Sequence, residues 1–202
     1  MVTATAESVS WAEDLVRQTY FEGLPSEAAR DLDDAAVARL AEMLADPAEA
    51  PFHGNIAIAL GYSGRPAAYT ALTEFAASPV IGEVDRATFR ARTQVLLALG
   101  HLARRDGRAL RWLLDAQTRP AEPPSWTFRH HRGASLRTLL DEQLLTALAL
   151  SRSPAAARHI DELIAETRGS DAASRRLRRH AQAARAMVES GSSGPSVKAP
   201  PR

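Results

Sequence analysis

A short helical unit recurs along this chain, and that recurrence limits the folds open to it more than any other feature. Asn55-Ile56-Ala57-Ile58-Ala59-Leu60-Gly61 is followed 39 positions later by Gln94-Val95-Leu96-Leu97-Ala98-Leu99-Gly100. A third copy lies 88 positions after the first, without gaps. There Ala59-Leu60 corresponds to Ala147-Leu148, Ser63 to Ser151, and Pro66-Ala67-Ala68 to Pro154-Ala155-Ala156. Leu72 then corresponds to Ile160, Glu74 to Glu162 and Phe75 to Leu163. A lone Ala-Leu match means little in a chain with 40 alanines, but a matched turn proline flanked by matched apolar positions means more. Periods of about 20–50 residues mark stacked supersecondary units, each burying its apolar face against its neighbours.

Each copy reads as helix, turn, helix. In the first, a helix over about 52–62 breaks at Gly61, Gly64 and Pro66, and a second runs over about 67–77. Ala68, Leu72 and Phe75 share one face of that second helix at i, i+4, i+7. Pro66 suits a first helical turn, where its missing N–H costs nothing. The second copy has a longer first helix over 85–103, a turn at Arg105-Asp106-Gly107, and a stripe of Leu110, Leu113 and Leu114. In the third, 135–150 and 154–168 play the same parts. Upstream, Ser10 and Glu13 have capping-box spacing and open a helix through Trp11, Leu15 and Tyr20. Another follows over about 34–44. Leu177, Ala181, Ala184 and Val188 stripe a last helix over about 171–189.

The expectation is therefore an all-α fold: an α-solenoid of stacked antiparallel helix pairs, about five to eight helices, with no sheet. Residues 1–32 form an N-terminal helical cap and 33–190 the repeat domain with an inserted loop at 118–133. Residues 191–202 form a disordered tail, rich in Gly, Ser and Pro. Leu60, Leu72, Leu99, Leu113, Leu148 and Leu163 are the expected core.

The pattern Ala-Leu-Gly-x-x-Gly-x-Pro-x-Ala at Ala59–Ala68 resembles the bacterial HEAT-like repeats first described in phycobilisome lyases. The resemblance covers about 33–190 and implies a stack of helix pairs used as a scaffold. Departures are Ala103 and Ala149 where turn glycines would fall, and Arg65 and Ser153 before the prolines. The resemblance also raises a lyase-like enzyme, for which no residue here marks a site.

Composition closes several routes. With no Cys, there is no disulfide framework, thiolate catalysis or Cys-bound metal. No apolar run approaches the ~18 residues of a membrane span. The first residues show neither a basic region nor an apolar stretch, so a cytoplasmic protein is expected. Residues 1–50 carry 3 Arg against 11 acids, a net −8; the remainder carries 22 Lys and Arg against 13 acids, a net +9. Such asymmetry fits two faces with different partners or simply solvated helix surfaces.

Catalytic motifs are missing from the sequence. The six His residues (His53, His101, His130, His131, His159, His180) contain no i, i+4 pair, so none is assigned to a metal and each is expected at the surface or hydrogen-bonded. Asp33-Asp34, Asp141-Glu142 and Asp161-Glu162 read as solvated helix acids or partners of helix N-termini. No catalytic residue and no cofactor is assigned. Two stretches stand out. The segment 118–133 places Trp126 and Phe128 beside Arg129, His130, His131 and Arg132, which suits a partner anchor or, equally, a loop pinned into a groove between repeats. Arg175, Arg178 and Arg179 give the last helix a basic face and, with Arg104, Arg105, Arg108 and Arg111, suit an anion or the phosphate backbone of a nucleic acid. The leading expectation is a non-catalytic protein-interaction scaffold with a protein partner. The alternative is a helical-repeat protein that binds nucleic acid.

Overall fold

Asp33 shows how the elements begin: its carboxylate accepts a hydrogen bond from the Ala36 amide at 2.8 Å, filling one of the donors left open at a helix start. The computed structural model describes residues 2–19, 23–118, 124–167, 169 and 171–192. Among these, α1 (Val2–Arg17) and the short α2 (Ser26–Arg30) precede α3 (Asp34–Ala45). A 3-10 helix (Pro47–Phe52) leads into α4 (His53–Ser63) and α5 (Ala67–Ala77). Then come α6 (Arg86–Leu102), α7 (Gly107–Thr118), α8 (Ala134–Ser151), α9 (Pro154–Glu166) and α10 (Ala172–Ser192). Asp85, Ser153 and Asp171 open α6, α9 and α10 as Asp33 opens α3, each accepting from a backbone amide of the first turn.

Matched positions of the first and third units behave alike. The buried Ser63 hydroxyl donates to Leu60 O at 2.7 Å, and its counterpart Ser151 donates to Leu148 O at 2.6 Å. Gly64 ends α4 with φ 64°, and Arg152 ends α8 with φ 54° at the equivalent place. A side chain in that left-handed region costs about 1–2 kcal/mol, so the third copy carries a strain that glycine spares the first.

Helices α4, α6, α8 and α10 pack in succession, each on the next, while α3 packs on α5 and α7 touches α9. The core runs continuously through them, with Leu60, Leu72, Leu99, Leu113 and Leu148 fully buried. Leu163 is half-buried at the edge of that core rather than inside it. Asn55 of α4 ties in the first helix: its amide donates to Val16 O (2.9 Å) and Gln18 O (3.0 Å), while its own oxygen accepts from Arg90 of α6 (2.9 Å).

Several expectations need correction. The described residues hold ten α-helices, more than the expected five to eight; α2 spans only five residues, too few for a period to register. Ser10 and Glu13 do not open α1, which begins at Val2 because no helix breaker precedes them; Glu13 instead pairs with Arg17 (3.1 Å) and Arg39 (2.6 Å). Tyr20 lies outside the described residues. A two-residue parallel ladder is present, β1 (Gly82–Glu83) beside β2 (Trp126–Thr127), with Gly82 opposite Trp126. The last helix continues to Ser192, past the expected start of the tail, and the rest of that tail lies outside the described residues. No described helix is long and apolar enough to cross a membrane.

Candidate functional site

Phe89 of α6 organises the described part of the 118–133 segment, which resumes at Pro124. Its ring stacks on Phe128 (centroids 4.0 Å apart, 14° between planes) and meets Trp126 edge-on at 6.3 Å. Ser125 donates to Val80 O at 2.7 Å, and Phe128 and His131 exchange backbone hydrogen bonds at 2.9 Å around the tight turn at Arg129. Trp126 and Phe128 thus face a common ring, that of Phe89 on α6. Trp126 is only 8% exposed. Arg129, His130 and Arg132 are exposed, His131 is half-buried, and the Arg129 guanidinium lies 5.2 Å from the Phe128 ring centre.

Trp126 is also one wall of a cleft of about 510 Å³ between α5, α6, α7 and α8. Val95, Leu96 and Leu144 line it, with Trp112 contributing a second indole. Arg137 and Asp141 supply an ion pair at 2.8 Å. Burial pushes the Asp141 carboxyl up while the Arg137 charge and hydrogen bond pull it down, leaving it raised. Asp141-Glu142 is therefore not a uniformly solvated acidic pair: Asp141 enters the cleft, and Glu142 takes a bidentate bond from Arg176 of α10.

A second cleft of about 630 Å³ lies among α3, the 3-10 helix, α5 and the starts of α4 and α6. Leu44, His53, Ala71 and Phe75 line it, and Arg92 lines both clefts. Arg92 closes the end of α5: its guanidinium donates to Phe75 O at 2.7 Å and to the Ser78 hydroxyl at 2.8 Å. Its Nε is buried without a partner among the described residues, and burial lowers its pKa. Apolar concavities with a few fixed polar groups are the usual makeup of binding clefts.

The other basic residues serve separate tasks. Arg108 bonds Asp106 and Pro66 O (3.0 Å) and lies 4.6 Å over the Tyr69 ring, while Arg111 is exposed on α7. Arg178 donates through Nε to Thr167 O at 2.7 Å, and through Nη2 as well, closing α9. Arg175 and Arg179 are exposed on α10. Arg104 donates to Leu150 O at 2.7 Å, at the end of α8, and the Arg105 stem crosses Gly64.

The sequence carries no signal for Arg92 or Arg137, because no motif marks a residue that only the stacking of three helices brings to a cleft. Nor does it mark His101, which is neither fully exposed nor hydrogen-bonded at Nδ1. Among the described residues no three His, Asp or Glu side chains converge as a metal site would require. Comparison with protein-family models, curated proteins and solved structures returns no match.

Proposed function

We propose that this chain is a protein-interaction scaffold: a HEAT-like solenoid of antiparallel helix pairs whose clefts hold a segment of a partner protein. The observation that carries this reading is the pair of apolar clefts joined at Arg92. Stacked repeats bury one face of each helix pair and leave successive grooves for a ligand. Trp112 and Trp126 are the residue type that most often dominates binding energy, here already held rigid by their surroundings. The exposed Arg129, His130 and Arg132 of the same loop add a polar margin.

Ala71 and Ala116 line one cleft each and are only half-buried, so arginine there fills a groove with little harm to the core. The test compares proteins retained from the native host by wild-type chain, Ala71→Arg and Ala116→Arg, with circular dichroism confirming that all three fold. A partner held by the wild type and lost from a folded variant supports the reading. An identical set on all three, or none on any, overturns it.

A further inference from the structure

At the far ends of α4 and α6 from the clefts lies a small cavity of about 100 Å³, lined by Arg30, Tyr62, Gly64, His101, Arg104 and Arg105. We propose that Arg30, Arg104 and Arg105, with Arg152 beside them, bind one tetrahedral oxyanion: inorganic phosphate or the phosphoryl group of a monoester. The volume suits a single such group and is too small for a nucleotide.

Cations at helix C-termini are ordinary, since the last carbonyls carry partial negative charge. That accounts for one bond here, from Arg104 to Leu150 O. A guanidinium has five N–H donors, and among the described residues no carboxylate pairs with Arg104, Arg105 or Arg152. Arg30 pairs with Glu27 at 3.1 Å, an acid that is itself 85% exposed. Four positive charges therefore gather here, and the one acid paired with any of them, Glu27, is largely screened by solvent.

Two further features point the same way. Gly64 has φ 64°, and a Cβ there would fall 2.5 Å from Arg105 Cδ, so the bare backbone is what seats the Arg105 stem at the cavity. His101 stacks on Tyr62 with ring centres 4.0 Å apart, and its Nδ1 is buried with no partner among the described residues. Burial first, then the charges of Arg104, Arg152 and Arg30, lower the His101 pKa to about 4, so the ring is neutral at pH 7. A bound dianion would offset those charges.

The site is independent of the clefts and stands or falls apart from the scaffold reading. Calorimetric titration of the full chain with sodium phosphate, against sodium chloride at equal ionic strength, tests it at pH 7.5. The expected result is saturable one-site binding and, by NMR, a rise in the His101 pKa. Arg105→Gln should weaken binding about tenfold, as loss of one charge-assisted donor pair would. Arg152→Gly should weaken it as well while leaving the fold at least as stable, because glycine relieves the left-handed residue. Binding of O-phosphoserine with similar strength would assign the site to phosphoryl groups on larger molecules; binding of inorganic phosphate alone would assign it to the free ion. No preference for phosphate over chloride, or binding unchanged in both variants, overturns the proposal. So does duplex DNA binding without single-phosphate binding.

Discussion

Gly61 of α4 lies directly against Ala98 of α6: a Cβ at 61 would fall 2.5 Å from the Ala98 carbonyl oxygen and 2.6 Å from its Cα. One repeat on, a Cβ at Gly100 would fall 2.4 Å from Ala147 O. Because the obstacle is backbone rather than a flexible side chain, a methyl group at either position must force two helices apart. Alanine would add about 1 kcal/mol of helix propensity, and the overpacking should outweigh it, for a net loss of about 1–3 kcal/mol. Chemical denaturation of Gly61→Ala and Gly100→Ala measures this, and a gain in stability in either would refute the close-approach account.

The same glycine shows what can and cannot be read from the chain. In the sequence Gly61 looks like the end of a helix, since glycine is a common breaker. In the fold it is buried inside α4, and Gly64 is the residue that ends the helix. The starts of α3, α5, α6 and α9 fall within a residue of the expectation, because Asp33, Pro66, Asp85, Ser153 and Pro154 act locally; the start of α1 does not, because Ser10 and Glu13 imitate a cap from inside the helix. The half-buried state of Leu163 was not legible, because α9 lies near an end of the stack. The clefts were legible only through Trp126; Arg92, Trp112 and Asp141 come from separate helices, and nothing in their spacing announces the meeting.

Leu99 is fully buried at the α6 centre of the stack, so Leu99→Ala should cost about 2–5 kcal/mol. Leu163→Ala should cost less than half as much. Equal losses in urea titrations of the two variants would mean that the core extends further into α9 than its burial indicates.

His101 predicts a specific pH dependence. Its folded pKa is about 4 against 6.5 ordinarily, so between these values the unfolded chain binds more protons than the folded one. Stability from this group is complete above pH 6.5 and falls as pH drops toward 4. Tyr62 and the guanidinium charges of Arg30, Arg104 and Arg152 surround it. His101→Phe keeps a ring on Tyr62 and removes the proton site. The melting temperature of wild type minus that of the variant should therefore decline from pH 6.5 to pH 4, whereas a flat difference would contradict the buried neutral imidazole.

Arg178 and Arg179 are adjacent on α10 but should behave differently. Arg178 closes the end of α9 through Thr167 O, so Arg178→Ala should cost about 1 kcal/mol. Arg179 is exposed, and its alanine variant should lie within about 0.5 kcal/mol of wild type. Equal melting temperatures for the two variants would show that the α9–α10 tie contributes nothing.

Trp126 and Phe128 separate a structural loop from a free arm most directly. Two positions apart, they could present together to a partner, and their loss would then leave the melting temperature almost unchanged. Instead Phe128 stacks on Phe89, Trp126 is 8% exposed, and β2 is fastened beside β1. Truncating a packed aromatic removes its transfer energy and leaves a cavity, a cost of about 3–5 kcal/mol in a full core and somewhat less at a cleft wall. The double variant Trp126→Ala, Phe128→Ala should therefore lose several degrees in melting temperature and gain protease sensitivity within residues 118–133. Phe128→Leu alone should lose much less, since leucine still covers Phe89. A double variant that melts with wild type and resists protease equally would return these aromatics to solvent and leave the second cleft without its wall.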